Sequence, residues 1–131
     1  RHCYNAKKIV EFLQDNDRVD KVYYPGLESH PNHKVAKSQM RGFGGMISFS
    51  LKNDTIEAAH SILKKTKLFS LAESLGGVES LIGHPASMTH ASIPKKDRLR
   101  VGLTDSLIRL SIGVEDVDDL IEDLEKALSN I

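Results

Sequence analysis

"LIRLSIGV", residues 107–114, is the stretch on which the fold turns. Its aliphatic residues Leu107, Ile108, Leu110 and Ile112 read as a buried strand with a guanidinium, Arg109, in its middle. Side chains alternate along a strand, so Ile108, Leu110 and Ile112 share one face while Leu107, Arg109 and Ser111 share the other. The aliphatic face belongs against helices. Arg109 then projects from the opposite face, toward whatever covers the sheet there or toward a ligand. An arginine is always charged, and its planar fork matches a carboxylate or phosphate in a bidentate way. The alternative is a structural ion pair with one of the nearby acids.

Working outward, "EDVDDLIEDLEKALSN", residues 115–130, sets Val117, Leu120, Ile121, Leu124 and Leu128 on one face of a helix. Acids crowd its N-terminal turns, where the macrodipole favours them, and the acids from Glu115 to Glu125 read as its wet face. Upstream, "KKDRLRVG" is expected to form a short helix closed by Gly102. "MISFSL", residues 46–51, alternates Met46, Ser48 and Ser50 with Ile47, Phe49 and Leu51 as a half-buried strand does. Asp54 with Glu57 forms a capping-box-like start for the helix that follows, with Ile56, Ala59, Ile62 and Leu63 as its apolar stripe. "TKLFSLAE" and "RVDKVYYPGL" read as further extended segments. Ser29 is expected to cap a short helix with Pro31 in its first turn. The opening "RHCYNAKKIVEFLQDND" places Cys3, Ala6, Ile9, Val10 and Leu13 on one helical face. Three or four strands among about five helices imply an α/β (α+β) sandwich. It has a small, largely antiparallel sheet covered by helices on one face.

The chain has 131 residues, 40% hydrophobic and 27% charged, which fits one domain with a modest core, residues 1–131. Eighteen basic residues balance eighteen acidic ones, so no overall field favours nucleic acid or an anionic membrane as a partner. No apolar run approaches the roughly 20 residues of a membrane span, and no signal-peptide pattern is visible. The single cysteine excludes an internal disulfide and fits a reducing, cytoplasmic setting. A start at Arg1 without methionine points to a piece of something longer.

The other candidate residues lie in "SLGGVESLIGHPASMTHASIP", residues 74–94, a stretch that reads as one long functional loop. Ser74, Gly76 and Gly77 form either a tight turn or an anion-holding nest of N–H groups. Glu73 is a site carboxylate or a solvated strand end. The pairs His84/His90 and His30/His33 come without a cysteine or an organised carboxylate, so no metal site is expected.

At these residues a resemblance becomes specific. "FSLAESLGGVESLIGHPASMTHASIP" followed by "GLTDSLIRLSIGVEDVDDLIEDLEKAL" resembles the C-terminal part of the pyridoxal-phosphate-dependent enzymes of Cys/Met metabolism. These are the cystathionine γ-synthases, γ-lyases and β-lyases and the methionine γ-lyases. "NAKKIVEFLQDNDRVDKVYYPGLESHPNH" resembles the segment that opens that part. The resemblance implies that Arg109 grips the α-carboxylate of an amino-acid substrate and that Ser74 lies in the same site. It places Glu73 at the substrate side-chain pocket and Thr89 on a loop near the cofactor. It implies the fold of the C-terminal domain of fold-type I pyridoxal-phosphate enzymes, a sulfur amino acid as substrate and a homotetrameric, cytoplasmic parent. The family's cofactor is held through a lysine in a larger domain, and no lysine here falls in such a motif. The chain is therefore expected to be inactive alone. "AESLGG" resembles the γ-synthase and γ-lyase branch more than the methionine γ-lyases, with a β-lyase as the alternative. Outside the family, the chain reads as a stand-alone amino-acid-binding regulatory domain, or as an assembly domain whose Arg109 makes a structural pair.

Overall fold

The computed structural model describes residues 1–129. Its centre is β5 (Ile108–Ser111), the strand the aliphatic run encodes, and β5 is flanked on both sides. On one side β2 (Met46–Leu51) pairs antiparallel with it, in the register Ile47↔Leu110, Ser48↔Arg109 and Phe49↔Ile108. On the other side β4 (Leu81–Gly83) pairs antiparallel through Ile82↔Leu110 and Gly83↔Arg109. β1 (Val19–Tyr23) extends the sheet beyond β2, and β3 (Ser70–Leu71) runs parallel to β4 at the other edge. The order β1-β2-β5-β4-β3 is thus antiparallel except at one edge, a mixed sheet of the expected kind.

The register sorts the faces. Ile47, Phe49, Leu51, Ile82, Ile108, Leu110 and Ile112 are almost fully buried and form one aliphatic surface. It packs against α1 (His2–Gln14), α3 (Ile56–Lys65) and α5 (Val117–Leu128), and α5 contacts both of the other two. In α1, Ala6, Ile9, Val10 and Leu13 supply the inner stripe, and in α5 Leu120, Leu124, Ala127 and Leu128 do so. Asp116 caps α5 by accepting from the Asp118 N–H at 2.9 Å. The two remaining helices, α2 (His33–Gln39) and α4 (Lys95–Arg100), are short, and α2 buries no residue. Gly102 adopts φ +83°, the left-handed turn expected after α4.

Several local expectations are corrected. Cys3 is exposed, and the buried residue of that turn is Asn5, whose amide donates to the Gly113 and Glu115 carbonyls. The cap of α3 is Thr55, which accepts from the Ala58 N–H; Asp54 instead accepts from the Ser106 N–H and clips the end of β2 to the start of β5. The helix expected after Ser29 starts at His33, because successive turns through residues 24–33 hold that segment first and Asn32 takes the cap position. The extended segment 66–73 forms only the two-residue β3, and the stretch 74–94 contains β4. Five strands therefore replace three or four. Asp123 belongs to the inner side of α5, and it accepts from the successive N–H groups of Lys67, Leu68 and Phe69 at 2.9–3.3 Å. The expected end of α5 at residue 130 lies outside the described residues.

Candidate functional site

Arg109 occupies the face of β5 opposite the helices, as the alternation of its strand requires. Its cross-strand partners are Ser48 and Gly83, both small. Space beside it is therefore available for a long side chain to lie across the sheet. A Cβ at Gly83 would sit 3.8 Å from Arg109 Nη2 and 3.1 Å from the Ala72 carbonyl, so glycine is what lets β4, the guanidinium and the chain at Ala72 approach one another.

The guanidinium reaches the segment just after β3. Its Nη2 donates to the Glu73 carbonyl at 2.9 Å and to the Ser74 carbonyl at 3.2 Å. Two neutral acceptors thus fix its orientation without neutralising it. Among the described residues Arg109 forms no ion pair, and its Nε and Nη1 have no hydrogen-bond partner. Glu73, the acid whose segment it reaches, contributes its backbone rather than its carboxylate. A charged, partly buried fork with unspent N–H groups is suited to a carboxylate or phosphate.

The remaining expected residues gather around it. Glu73 and Thr89 line one small pocket with Arg109, together with Ala72, Gly83, His84, Pro85 and Met88. Ser74 meets Arg109 through its carbonyl. The glycine turn is a turn: Gly76 adopts φ +79°, and its N–H donates to the Ser111 hydroxyl at 2.7 Å, so that donor is spent on β5. His33 Nδ1 bonds the Pro25 carbonyl at 2.8 Å, and His30 Nδ1 accepts from the Asn32 N–H. Among the described residues no three histidine, cysteine or acidic side chains gather as metal ligands.

A buried polar cluster behind the pocket has no counterpart in the sequence reading. His84 is fully buried; its Nε2 lies 2.7 Å from the Asp105 carbonyl and its Nδ1 2.7 Å from the Ser87 hydroxyl. The Asp105 carboxylate takes hydrogen bonds from Lys95 and from the buried Arg98. Burial holds the imidazole of His84 below its usual 6.5. The bond from Lys95, helped by Arg98, holds the Asp105 carboxyl below its usual 3.8 even though burial opposes this. Both shifts have the same sign for stability. As pH falls below 6.5 the unfolded chain takes up a proton at His84 that the folded chain refuses, and below 3.8 the same becomes true at Asp105. The thermal midpoint is expected to be level just above pH 6.5 and to fall in steps below it. A midpoint unchanged between pH 7 and pH 5 would contradict the neutral, buried His84.

Comparison with known proteins gives this geometry its setting. A family model described as Cys/Met metabolism PLP-dependent enzyme matches residues 1–129. The chain belongs to this family. It is 58% identical over 128 residues to the cystathionine beta-lyase of Coxiella burnetii and 56% identical over 131 residues to an L-methionine gamma-lyase of Fusobacterium nucleatum subsp. polymorphum. These alignments cover 98% and 100% of the chain and 33% of each relative. The crystal structure of cystathionine gamma synthase from Xanthomonas oryzae pv. oryzae, in complex with aminoacrylate and cysteine, superposes with a TM-score of 0.90 at 48% identity. It covers 98% of this chain, which again spans 33% of that one. The chain thus spans about a third of the length of these Cys/Met-metabolism relatives.

The family depends on pyridoxal phosphate, and the pocket at Arg109 does not fit that group as a whole. No lysine lines it to bind an aldehyde, and the Gly76 N–H that a phosphate would use is already bonded to Ser111. What the pocket offers is the unspent Nε and Nη1 of Arg109. Among the described residues no helix is long and apolar enough to cross a membrane.

Proposed function

We propose that Arg109 binds the α-carboxylate of a sulfur amino acid. On this reading residues 1–131 are the C-terminal substrate-binding domain of a pyridoxal-phosphate-dependent trans-sulfuration enzyme. The observation that carries the reading is a guanidinium oriented by two backbone carbonyls, with Nε and Nη1 unspent and no acidic partner among the described residues. An assembly domain with a structural Arg109 pair would put an acid where these carbonyls stand. Glu73, Ser74 and Thr89 flank the same substrate, with Glu73 nearest its side chain. Held in this way, the α-carbon takes one orientation, and binding energy is converted into alignment of the bond to be broken.

Cysteine metabolism in the cytoplasm is the setting we infer, within a homotetrameric parent that meets neither nucleic acid nor membrane. The exposed thiol of Cys3 is in keeping with a reducing compartment. The chemistry itself is assigned to the part of the enzyme outside this chain, so residues 1–131 alone are expected to show no turnover and no visible cofactor band. The γ-synthase or γ-lyase type is our preferred assignment on the "AESLGG" string; the relatives span β-lyase, methionine γ-lyase, cystathionine γ-lyase and γ-synthase names at similar identity and give that preference no separate support.

Products decide it. The full-length enzyme, supplied with pyridoxal phosphate and L-cystathionine, is expected to release cysteine and 2-oxobutyrate if it is a γ-lyase. Homocysteine and pyruvate would assign it to the β-lyases, and cystathionine formed from an activated homoserine ester and cysteine would make it the synthase. No product from any of these mixtures contradicts the proposal.

A further inference from the structure

The wall of the pocket facing Arg109 is a turn, residues 84–90, which carries Met88 and Thr89. Its backbone closes on itself: the Ser87 and Met88 N–H groups donate to the His84 carbonyl at 3.2 and 3.1 Å, and His90 N–H donates to the Pro85 carbonyl at 2.9 Å. These bonds shape the turn but do not fix it to the rest of the molecule. The side chain of His84 does.

The direction of each bond follows from the chemistry of the partners. A backbone carbonyl only accepts, so His84 Nε2 carries the hydrogen donated to Asp105. Nδ1 of the neutral ring then accepts from the Ser87 hydroxyl, whose oxygen in turn accepts from His60 Nε2 at 3.0 Å. The two imidazoles meet edge to face, with centroids 5.1 Å apart. One buried ring therefore links the turn, the segment that leads into β5, and α3. It also directly follows Gly83, the cross-strand partner of Arg109.

We propose that His84 is a positioning residue for the carboxylate site: through Asp105 and Ser87 it holds the 84–90 turn, and with it Met88 and Thr89, at the height of the Arg109 guanidinium. This rests on the reading of Arg109 given above. Although His84 borders the pocket, its ring nitrogens are engaged by Asp105 and Ser87, and it acts through the turn. A proton at Nδ1 would remove the lone pair that Ser87 uses and reverse that link. The charged and titratable groups facing the ring are His60 from α3, Arg98 from α4 and the Asp105 carboxylate. The first two oppose such a proton and the third favours it.

The test is steady-state kinetics of the full-length enzyme with bound pyridoxal phosphate, using whichever of L-cystathionine, L-methionine and an activated homoserine ester with cysteine it turns over, from pH 5.5 to pH 8.5. Wild type, Ser87→Ala, His84→Asn and Arg109→Ala are compared. Ser87→Ala and His84→Asn are expected to raise KM by about threefold to tenfold at pH 8 while kcat changes by less than about twofold. Wild type is expected to show a rise of KM as pH falls below 6.5, and in both variants that rise should flatten, because the link that protonation breaks is already cut. A merely structural role would lower the melting temperature and leave that pH limb in place. Should His84→Asn fail to fold, Ser87→Ala decides, since Ser87 is exposed. Wild-type KM and pH limb in Ser87→Ala, together with a damaged Arg109→Ala, overturn the role of His84 and leave the carboxylate site standing. Wild-type KM in Arg109→Ala, or turnover of none of these substrates, overturns both.

Discussion

Replacing Arg109 with alanine in the full-length enzyme is expected to weaken binding of the amino-acid substrate by roughly 1.5–3 kcal/mol, or about tenfold to more than a hundredfold, with the fold retained. The magnitude follows from the loss of charge-assisted hydrogen bonds to a carboxylate in a partly shielded site. Retention of the fold follows from what Arg109 bonds in the protein. Its two acceptors are the Glu73 and Ser74 carbonyls on an exposed segment, which water can serve when the guanidinium is gone. Arg109→Lys is expected to recover only part of the loss, because an ammonium cannot hold two carbonyls and a bidentate carboxylate at once. Substrate titrations and thermal melts of the three proteins check both halves. A large fall in melting temperature with unchanged affinity would make Arg109 a structural residue.

The largest expected loss of stability is at Asp123. Its carboxylate lies at 7% exposure on the inner side of α5 and accepts three consecutive N–H groups, from Lys67, Leu68 and Phe69. Those donors close the connection from α3 into β3. Asp123→Ala would strand the buried Phe69 N–H and leave those of Lys67 and Leu68, on exposed residues, partly to water, and a cost of about 2–3 kcal/mol is expected from the lost hydrogen bonds to a charge. Asp123→Asn keeps one acceptor oxygen and should cost clearly less. The site is affected too, since β3 leads directly into Glu73 and Ser74, the residues that orient Arg109. Chemical denaturation of the two variants measures the difference. Equal stability of Asp123→Ala and wild type would show that water reaches the three N–H groups.

Much of this was legible from periodicity. The alternation of β5 gave the face of Arg109, and the alternation of β2 gave the same core surface from its partner, because a period of two leaves no freedom once one face is aliphatic. The α5 stripe is readable in the same way, yet its acids read as a uniformly wet face. Asp123 lies three residues after Leu120 and four before Ala127, so its position on the buried face was written in the spacing; its residue type argued the other way. β4 escaped because Leu81–Gly83, three residues between a polar loop and His84, carry no period of their own and are strand only through their neighbours β5 and β3. Cys3 and Asn5 exchanged roles at the start of α1, where the partners of Asn5 lie more than a hundred residues away. The cluster of His84, Asp105, Arg98 and Lys95 has no pattern in the sequence although its members lie within 21 residues of Asp105. Its members meet through tertiary contacts, and residue types alone named only the histidine. The site residues Arg109, Glu73, Ser74 and Thr89 came from the strand pattern and the family resemblance together, and the fold brings all four to one place.

The most direct measurement pairs the arginine with the group it is said to hold. Affinities of wild type and Arg109→Ala would be determined for L-cystathionine and for the analogue that lacks the α-carboxylate on the reacting half. Wild type should prefer the carboxylate-bearing ligand by about tenfold or more, and Arg109→Ala should lose most of that preference. If the substitution weakens both ligands equally, or neither, Arg109 does not bind the α-carboxylate.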